Sequence, residues 1–177
     1  AAAMCDLARI YPDTKIYDPF CGSGTILIEA ALMATKNAPG LRRFFAAERF
    51  SSINQKAWQQ ERMRAQDNIL HNIEFMAQGY DIDKNAVELT LANAKKAGVE
   101  KYVKAAIADV KDFSIPDSRA IVVTNPPYGE RLEEKEALPA LYRTIGESYA
   151  GLNDWSMYLI TSYEEAEKYI GRKADKN

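Results

Sequence analysis

The sequence predicts a doubly wound α/β domain, a mostly parallel sheet flanked by helices on both faces. Short apolar runs alternate with helical stretches from residue 15 onward, and that alternation closes into a parallel sheet through crossover helices. The first four runs end on Asp18, Asp81, Asp109 and Asn125, and doubly wound sheets bind ligands outside the carboxyl ends of their strands. The chain has 177 residues, 47% of them hydrophobic and 27% charged. A chain of that size buries roughly 70% of its unfolded surface without disulfides or metal, so residues 1–177 are read as a single domain.

The opening AAAMCDLARI is interrupted by Asp6 and Arg9, so it is not a leader core. Residues 15–17 form the first strand, ending at Asp18-Pro19. Residues 25–34 are apolar on nearly every side, which predicts a buried helix. Pro39-Gly40 breaks the chain, and 55–72 reads as a long polar helix. A strand follows at 75–80, then a helix at 85–96 closed by Gly98. Residues 102–108 and 120–124 are strands, and 136–150 is a helix whose regular part is expected to start at Pro139. Residues 155–160 form a last apolar strand, followed by a helix from 164.

The charge is uneven. Residues 36–64 hold seven Lys or Arg against Glu48 and Glu61, a net +5 inside a chain of net −2, which leaves −7 elsewhere. The total argues against a whole-domain polyanion binder, but a local basic patch that includes Arg42 and Arg43 can steer a phosphate backbone. No apolar run approaches the roughly 18 residues that cross a bilayer, so no membrane partner is expected. Cys5 and Cys21 are the two cysteines and His71 the one histidine. That supply argues against a disulfide scaffold or a metal site and suits a reducing cytoplasm.

Four motifs carry the chemistry. In Asp18-Pro19-Phe20-Cys21-Gly22-Ser23-Gly24-Thr25 the glycines admit a ligand close to the backbone. A dinucleotide site would want a third glycine where Leu27 stands. The Asp18 carboxylate is wrong for a phosphate cradle and right for a cationic or hydroxyl-bearing ligand, which points to S-adenosyl-L-methionine. In Gly79-Tyr80-Asp81-Ile82-Asp83, Asp81 is placed to accept ribose hydroxyls and Asp83 to cap the next helix. Gly24 and Asp81 lie 57 positions apart, against a usual spacing of about 20, so an insertion at about 36–72 occupies the first crossover. Asp109, followed by Val110, is placed to accept from an adenine amine or to serve as a turn acid. Last, Thr124-Asn125-Pro126-Pro127-Tyr128-Gly129 stops a buried strand with two prolines. The Asn125 carboxamide and the Pro126 carbonyl can accept both protons of an exocyclic base amine, and Tyr128 offers a ring for stacking. The base must leave its own stack to reach them.

DPFCGSGT, GYDID and above all TNPPYGERL (124–132) together resemble the S-adenosylmethionine-dependent amino-methyltransferases. Within them the likeness is to the THUMP-associated ribosomal RNA guanine-N2 methyltransferases, long labelled N6-adenine-specific DNA methylases. APGLRRFFAAERF (38–50) is similar to that subgroup's insertion and the closing RKADKN to its tail. The resemblance implies a Rossmann-like class I methyltransferase fold acting on guanine N2 of large-subunit ribosomal RNA in the cytoplasm. It implies that residues 18–25 hold the methionine end, Asp81 and Ile82 the ribose, Asp109 and Val110 the adenine, and residues 125–128 the target base. Arg131 would meet RNA phosphate or simply pair with an acid. Family members carry an RNA-binding THUMP region ahead of this domain and further strands after it. On that comparison the chain is a catalytic part whose RNA is captured mainly elsewhere, and whose strand 155–160 is left to self-associate through an open edge.

The Asn-Pro-Pro-Tyr core does not separate guanine N2 from adenine N6 on DNA or RNA, or ribosomal from transfer RNA. A nicotinamide oxidoreductase is disfavoured by Leu27 and by the lack of an evident proton donor, and a non-catalytic nucleotide-binding module by Asn125 and Tyr128.

Overall fold

The computed structural model describes residues 1–114, 120–129, 132–150 and 154–175, with the backbone alone for 132–134. Arg131 lies outside the described residues, so its expected RNA contact has no structural counterpart here.

Among the described residues five strands, β1 (Lys15–Asp18), β2 (Met76–Asp81), β3 (Val103–Ile107), β4 (Ile121–Thr124) and β5 (Ser156–Leu159), form one sheet in the order β3-β2-β1-β4-β5. Every pair is parallel, with Ile16 opposite Ala77 on one side of β1 and opposite Ile121 on the other. The strand order reverses between β1 and β4, which opens a crevice at their carboxyl ends. β5 is an edge strand among the described residues, the position on which the expectation of self-association rests.

Among the described residues six α-helices complete the domain: α1 (Ala2–Leu7), α2 (Thr25–Ala34), α3 (Gln55–Asp67), α4 (Lys84–Ala97), α5 (Leu132–Ala150) and α6 (Ala166–Ile170). α2 is the central one. Its Ile26, Leu27, Ala30, Ala31 and Ala34 pack with Ile16, Ala77, Val103 and Val123 from four strands. Small residues on the buried side bring the helix close to the sheet. On the opposite face Tyr17, Ala120 and Val122 gather Phe113, Trp155 and Met157. α5 packs on α6 through Leu138, Tyr142 and Ala166.

Three elements differ from the sequence reading. α3 stops at Asp67 rather than running to 72, because Leu70 N–H turns back to the Thr35 carbonyl at 2.8 Å and Asn72 adopts φ +58°. α5 is regular from Leu132, with Pro139 inside it. Proline removes one i→i−4 bond there, and burial of Leu138, Tyr142 and Ile145 on either side holds the helix together. α1 has no periodic signature in six residues, yet its Cys5 is fully buried against α2, with the thiol donating to the Ile26 carbonyl at 3.5 Å.

Gly79 in β2 sets how closely the loop after β1 approaches the sheet. A Cβ there would lie 2.6 Å from Leu27 Cδ1 and 2.8 Å from Cys21 Cβ. Gly79→Ala is therefore expected to lower stability by about 1–3 kcal/mol, seen as an earlier midpoint in urea denaturation.

Candidate functional site

The crevice is built at the strand ends that the sequence marked. Asp18 closes β1, Asp81 closes β2, Asp109 follows β3 by two residues and Asn125 follows β4 directly.

Asp18 sits deepest, 1% exposed. Its Oδ1 accepts the Thr124 hydroxyl at 2.7 Å and the Phe20 N–H at 3.0 Å. Burial pushes its carboxyl up to about 7, against the two hydrogen bonds that favour the charged form. The sequence offered Asp18 as a partner for a cationic ligand. The structure adds a duty the sequence did not show, a strut between β1 and β4.

The glycine loop runs over the top of Asp18. Gly22 and Gly24 adopt φ +53° and +78°, the left-handed region that glycine enters without strain. At Gly24 a Cβ would also meet Thr90 Cγ2 at 2.7 Å. Two α4 side chains hold the loop from behind. The Thr90 hydroxyl donates to the Gly22 carbonyl at 2.9 Å and the Asn93 amide to the Ser23 carbonyl at 3.0 Å. Asp81 holds it from the side, with Oδ2 accepting the Gly22 N–H and Oδ1 the Asp83 N–H, both at 2.9 Å. Each Asp81 oxygen thus carries one backbone donor and retains a lone pair. Ile82, beside it, is 73% exposed, an apolar side chain on the crevice rim.

Asp83 caps α4, its Oδ1 accepting the Asn85 N–H at 2.8 Å, as the sequence suggested. Asp109 is both a strand-end acid and a cap. It accepts the Lys111 N–H at 3.0 Å and pairs with Lys111 Nζ at 3.2 Å at the head of a 3-10 turn, Val110–Asp112. That backbone bond, with the lysine beside it, holds its carboxyl below the usual range.

After β4 the chain turns through exposed Asn125, buried Pro126, exposed Pro127 and half-buried Tyr128 to Gly129 at φ +72°. The Tyr128 hydroxyl donates to Asn125 Oδ1, so the two motif residues expected to meet the base touch each other.

The basic segment lies elsewhere. α4 starts next to Asp81 and returns along the sheet for 14 residues, about 21 Å at 1.5 Å per residue. Arg42 is bonded to its far end, Nη1 to the Lys96 carbonyl at 3.2 Å. Arg43 lies over the Phe45 ring at 4.8 Å, and Arg62 ties the segment together through the Leu41 and Arg43 carbonyls and a 2.5 Å pair with Glu48. Arg42 therefore sits at the opposite pole of the sheet from Asn125.

Sequence reasoning missed Thr90, Asn93 and Thr124 as parts of the site. The first two were legible as polar residues at i, i+3 on the sheet-facing side of α4, where Val87 and Ala94 are buried. Thr124 had no signal beyond its place at a strand end.

A family model described as RMKL-like, methyltransferase domain, matches residues 1–177. The chain is 39% identical to "Putative RNA methyltransferase YpsC" of Bacillus subtilis (strain 168), over 99% of this chain and 46% of that protein. It is 38% identical to ribosomal RNA large subunit methyltransferase K/L of Shewanella woodyi, over 92% of this chain and 24% of that protein. The crystal structure of "SMU.472, a putative methyltransferase complexed with SAH" superposes with a TM-score of 0.94 at 36% identity, covering 99% of this chain and 46% of that one. The chain thus spans less than half the length of the relatives it matches, and its fold is that of Rossmann-like methyltransferases.

The raised Asp18 carboxyl has a consequence for stability. Its folded value of about 7 lies above the unfolded one. Its contribution to stability is thus fully present below pH about 4 and is lost as pH rises through about 7. Urea denaturation from pH 5 to 8 is expected to show falling stability, by up to a few kcal/mol. Asp18→Asn, which keeps an acceptor for Thr124, should flatten that slope, and an unchanged slope would reject the assignment.

Proposed function

The chain belongs to the RMKL-like methyltransferase domain family, and from that premise we propose that it binds S-adenosylmethionine and methylates an exocyclic base amine of RNA, guanine N2 of large-subunit ribosomal RNA. The observation that carries this reading is the Asn125–Gly129 turn, set beside the glycine loop by the Thr124–Asp18 bond. The likeness to ribosomal RNA large subunit methyltransferase K/L supports the choice of RNA.

The crevice residues fit such a cofactor. Asp18, Asp81 and Asp109 line the strand ends, and no Lys or Arg occurs in residues 18–25. That donor set repels a phosphate and suits ribose hydroxyls and a cationic methionine end. The loop 18–25 would hold the methionine end above Asp18, whose carboxyl, raised by burial to about 7, a cationic ligand would draw toward its charged form. Asp81 and Ile82 would hold the ribose, and Asp109 and Val110 the adenine.

When bound, S-adenosylmethionine supplies an electrophilic methyl group on a sulfonium. The protein's part is to prepare the amine. The lone pair of a base amine is delocalised into the ring, which makes it a poor nucleophile. Asn125 Oδ1 and the Pro126 carbonyl accept its two protons, which favours the pyramidal nitrogen and turns its lone pair outward. Tyr128 stacks on the flipped base. Its hydroxyl rests on Asn125 in the structure, so base entry requires Asn125 to share or exchange that partner. No strong general base is needed: as the N–CH3 bond forms and the S–CH3 bond would break onto sulfur, the amine becomes acidic, and the proton that Asn125 Oδ1 has hydrogen-bonded is lost to water.

The deciding measurement is tritiated methyl transfer from S-adenosylmethionine to bulk RNA and to DNA, followed by nucleoside analysis. Label in RNA as N2-methylguanosine is expected. N6-methyladenosine in either nucleic acid would replace this reading with the adenine one.

Two substitutions separate binding from chemistry. Asp81→Ala is expected to weaken S-adenosylmethionine binding at least about tenfold by calorimetry, since it removes charged acceptors of hydroxyl protons. Asn125→Ala should keep cofactor binding and lose about a hundredfold in methyl transfer, and retained turnover would refute the mechanism. Charge reversal at Arg42 and Arg43 is expected to weaken RNA binding and flatten its salt dependence while leaving cofactor affinity alone.

A further inference from the structure

One wall of the base-binding turn opens into a cavity of about 710 Å³. Tyr128 and Gly129 line its near side, and the segment after β5, which includes Tyr163, Glu164 and Glu165, lines its far side. The far wall is fixed in place. The Tyr142 and Thr161 hydroxyls are 2.5 Å apart, and Thr161 Oγ1 accepts the Tyr163 N–H at 3.0 Å. The Tyr163 ring packs against Tyr142 at 5.1 Å and stacks on Tyr169 at 6.0 Å. Residue 164 thus follows directly on a pinned segment, though it is exposed itself.

Of the two acids there, Glu165 is committed, with Lys168 at 2.5 Å and the Tyr163 hydroxyl at 3.4 Å. Glu164 makes no hydrogen bond or ion pair among the described residues. An uncommitted carboxylate therefore faces the same cavity as the aromatic ring on which the base is to stack.

A carboxylate has a definite preference between purines. It is an acceptor only. Guanine carries a hydrogen on N1, next to its N2 amine, and can donate it. Adenine carries a lone pair on N1, next to its N6 amine, and meets a carboxylate with repulsion. The Asn-Pro-Pro-Tyr turn treats both amines alike, so the choice of base must come from a group reaching the neighbouring ring position. A group that accepts a hydrogen bond from its substrate disfavours the analogue that lacks the donor, and at an exposed acid such as Glu164 the expected discrimination is modest.

We propose that Glu164 is the specificity-determining residue of this site, accepting the N1–H of a guanine stacked on Tyr128 in the cavity between the 125–129 turn and the segment after β5. The inference rests on the guanine-amine reading above. Lys135, on the same cavity, stands where it can meet the nucleotide's phosphate.

The test is equilibrium dialysis of the protein with labelled guanosine 5′-monophosphate or adenosine 5′-monophosphate. Saturating S-adenosylhomocysteine keeps either nucleotide out of the cofactor's adenine site. The unsubstituted protein is expected to retain the guanine nucleotide about tenfold more strongly than the adenine one. Glu164→Gln should erase most of that preference and leave S-adenosylhomocysteine affinity unchanged, which also shows that the variant is folded. A preference that survives Glu164→Gln overturns the role of Glu164 but leaves the guanine reading standing. A preference for the adenine nucleotide in the unsubstituted protein overturns both. Equal retention of the two nucleotides, or of neither at millimolar concentration, overturns the cavity as a guanine site.

Discussion

The hydrogen bond from Thr124 to Asp18 joins β1 to β4 at the point where the strand order reverses. Helices leave the sheet on opposite faces there, so no packed layer lies above the strand ends and the crevice opens. A buried carboxylate in that place is expensive unless it is hydrogen-bonded or neutral. Asp18 meets the condition with two donors and an ionisation raised by burial. The glycine loop begins immediately after Asp18 and the Asn-Pro-Pro-Tyr turn immediately after Thr124. One buried contact therefore sets the spacing between the loop that would hold the methyl donor and the turn that would hold the base. Methyl transfer depends on that spacing, because reacting groups must meet at near-bonding distance.

The loop over this strut is constrained from three directions. Asp81 takes its N–H at Gly22, Thr90 donates to its carbonyl at Gly22, and Asn93 donates to its carbonyl at Ser23. Backbone in the left-handed region has little intrinsic preference for one direction, so these side chains decide which way the loop faces. Gly79 lets Cys21 and Leu27 close in beneath it. The contacts come from β2 and α4, elements more than fifty residues away in sequence. This ties the glycine loop to the body of the domain rather than to its own strand and helix.

The sequence made the sheet legible because each strand is a short apolar run with a hard stop. The order of α/β units, the carboxyl-end acids, the Asp83 cap and the Gly98 cap could all be read from local chemistry. What could not be read was set by contacts between distant residues. The end of α3 is decided by Leu70 pairing with Thr35, and Pro139 is tolerated because Leu138 and Tyr142 are buried. Asp18 looked like a free ligand carboxylate because nothing near it in sequence announces Thr124, 106 positions later. Asp109 carried two local readings, adenine acceptor and turn acid; it stands at the head of a 3-10 turn and remains at the strand end.

The placement of charge separates two tasks that the sequence had left together. Residues 36–64 carry the chain's local excess of positive charge, yet they join α2 to β2, and both of those ends face away from the crevice. Arg42 is fixed there by the α4 carboxyl end, where a cation also meets the negative end of the helix dipole. Its place against Gly98 is tight enough that a Cβ on that residue would collide with the Arg42 guanidinium. The crevice itself is ringed by carboxylates. A polyanion approaching this domain is thus attracted to one pole and repelled from the strand ends at the other, with about 21 Å of helix between them. A base can enter such a crevice only as an extruded nucleotide whose phosphates stay outside it. An RNA engaging both poles would have to be long enough to span the sheet. On the proposed function, the acidic crevice would select for the flipped base, while affinity for the backbone would be generated at a distance from it.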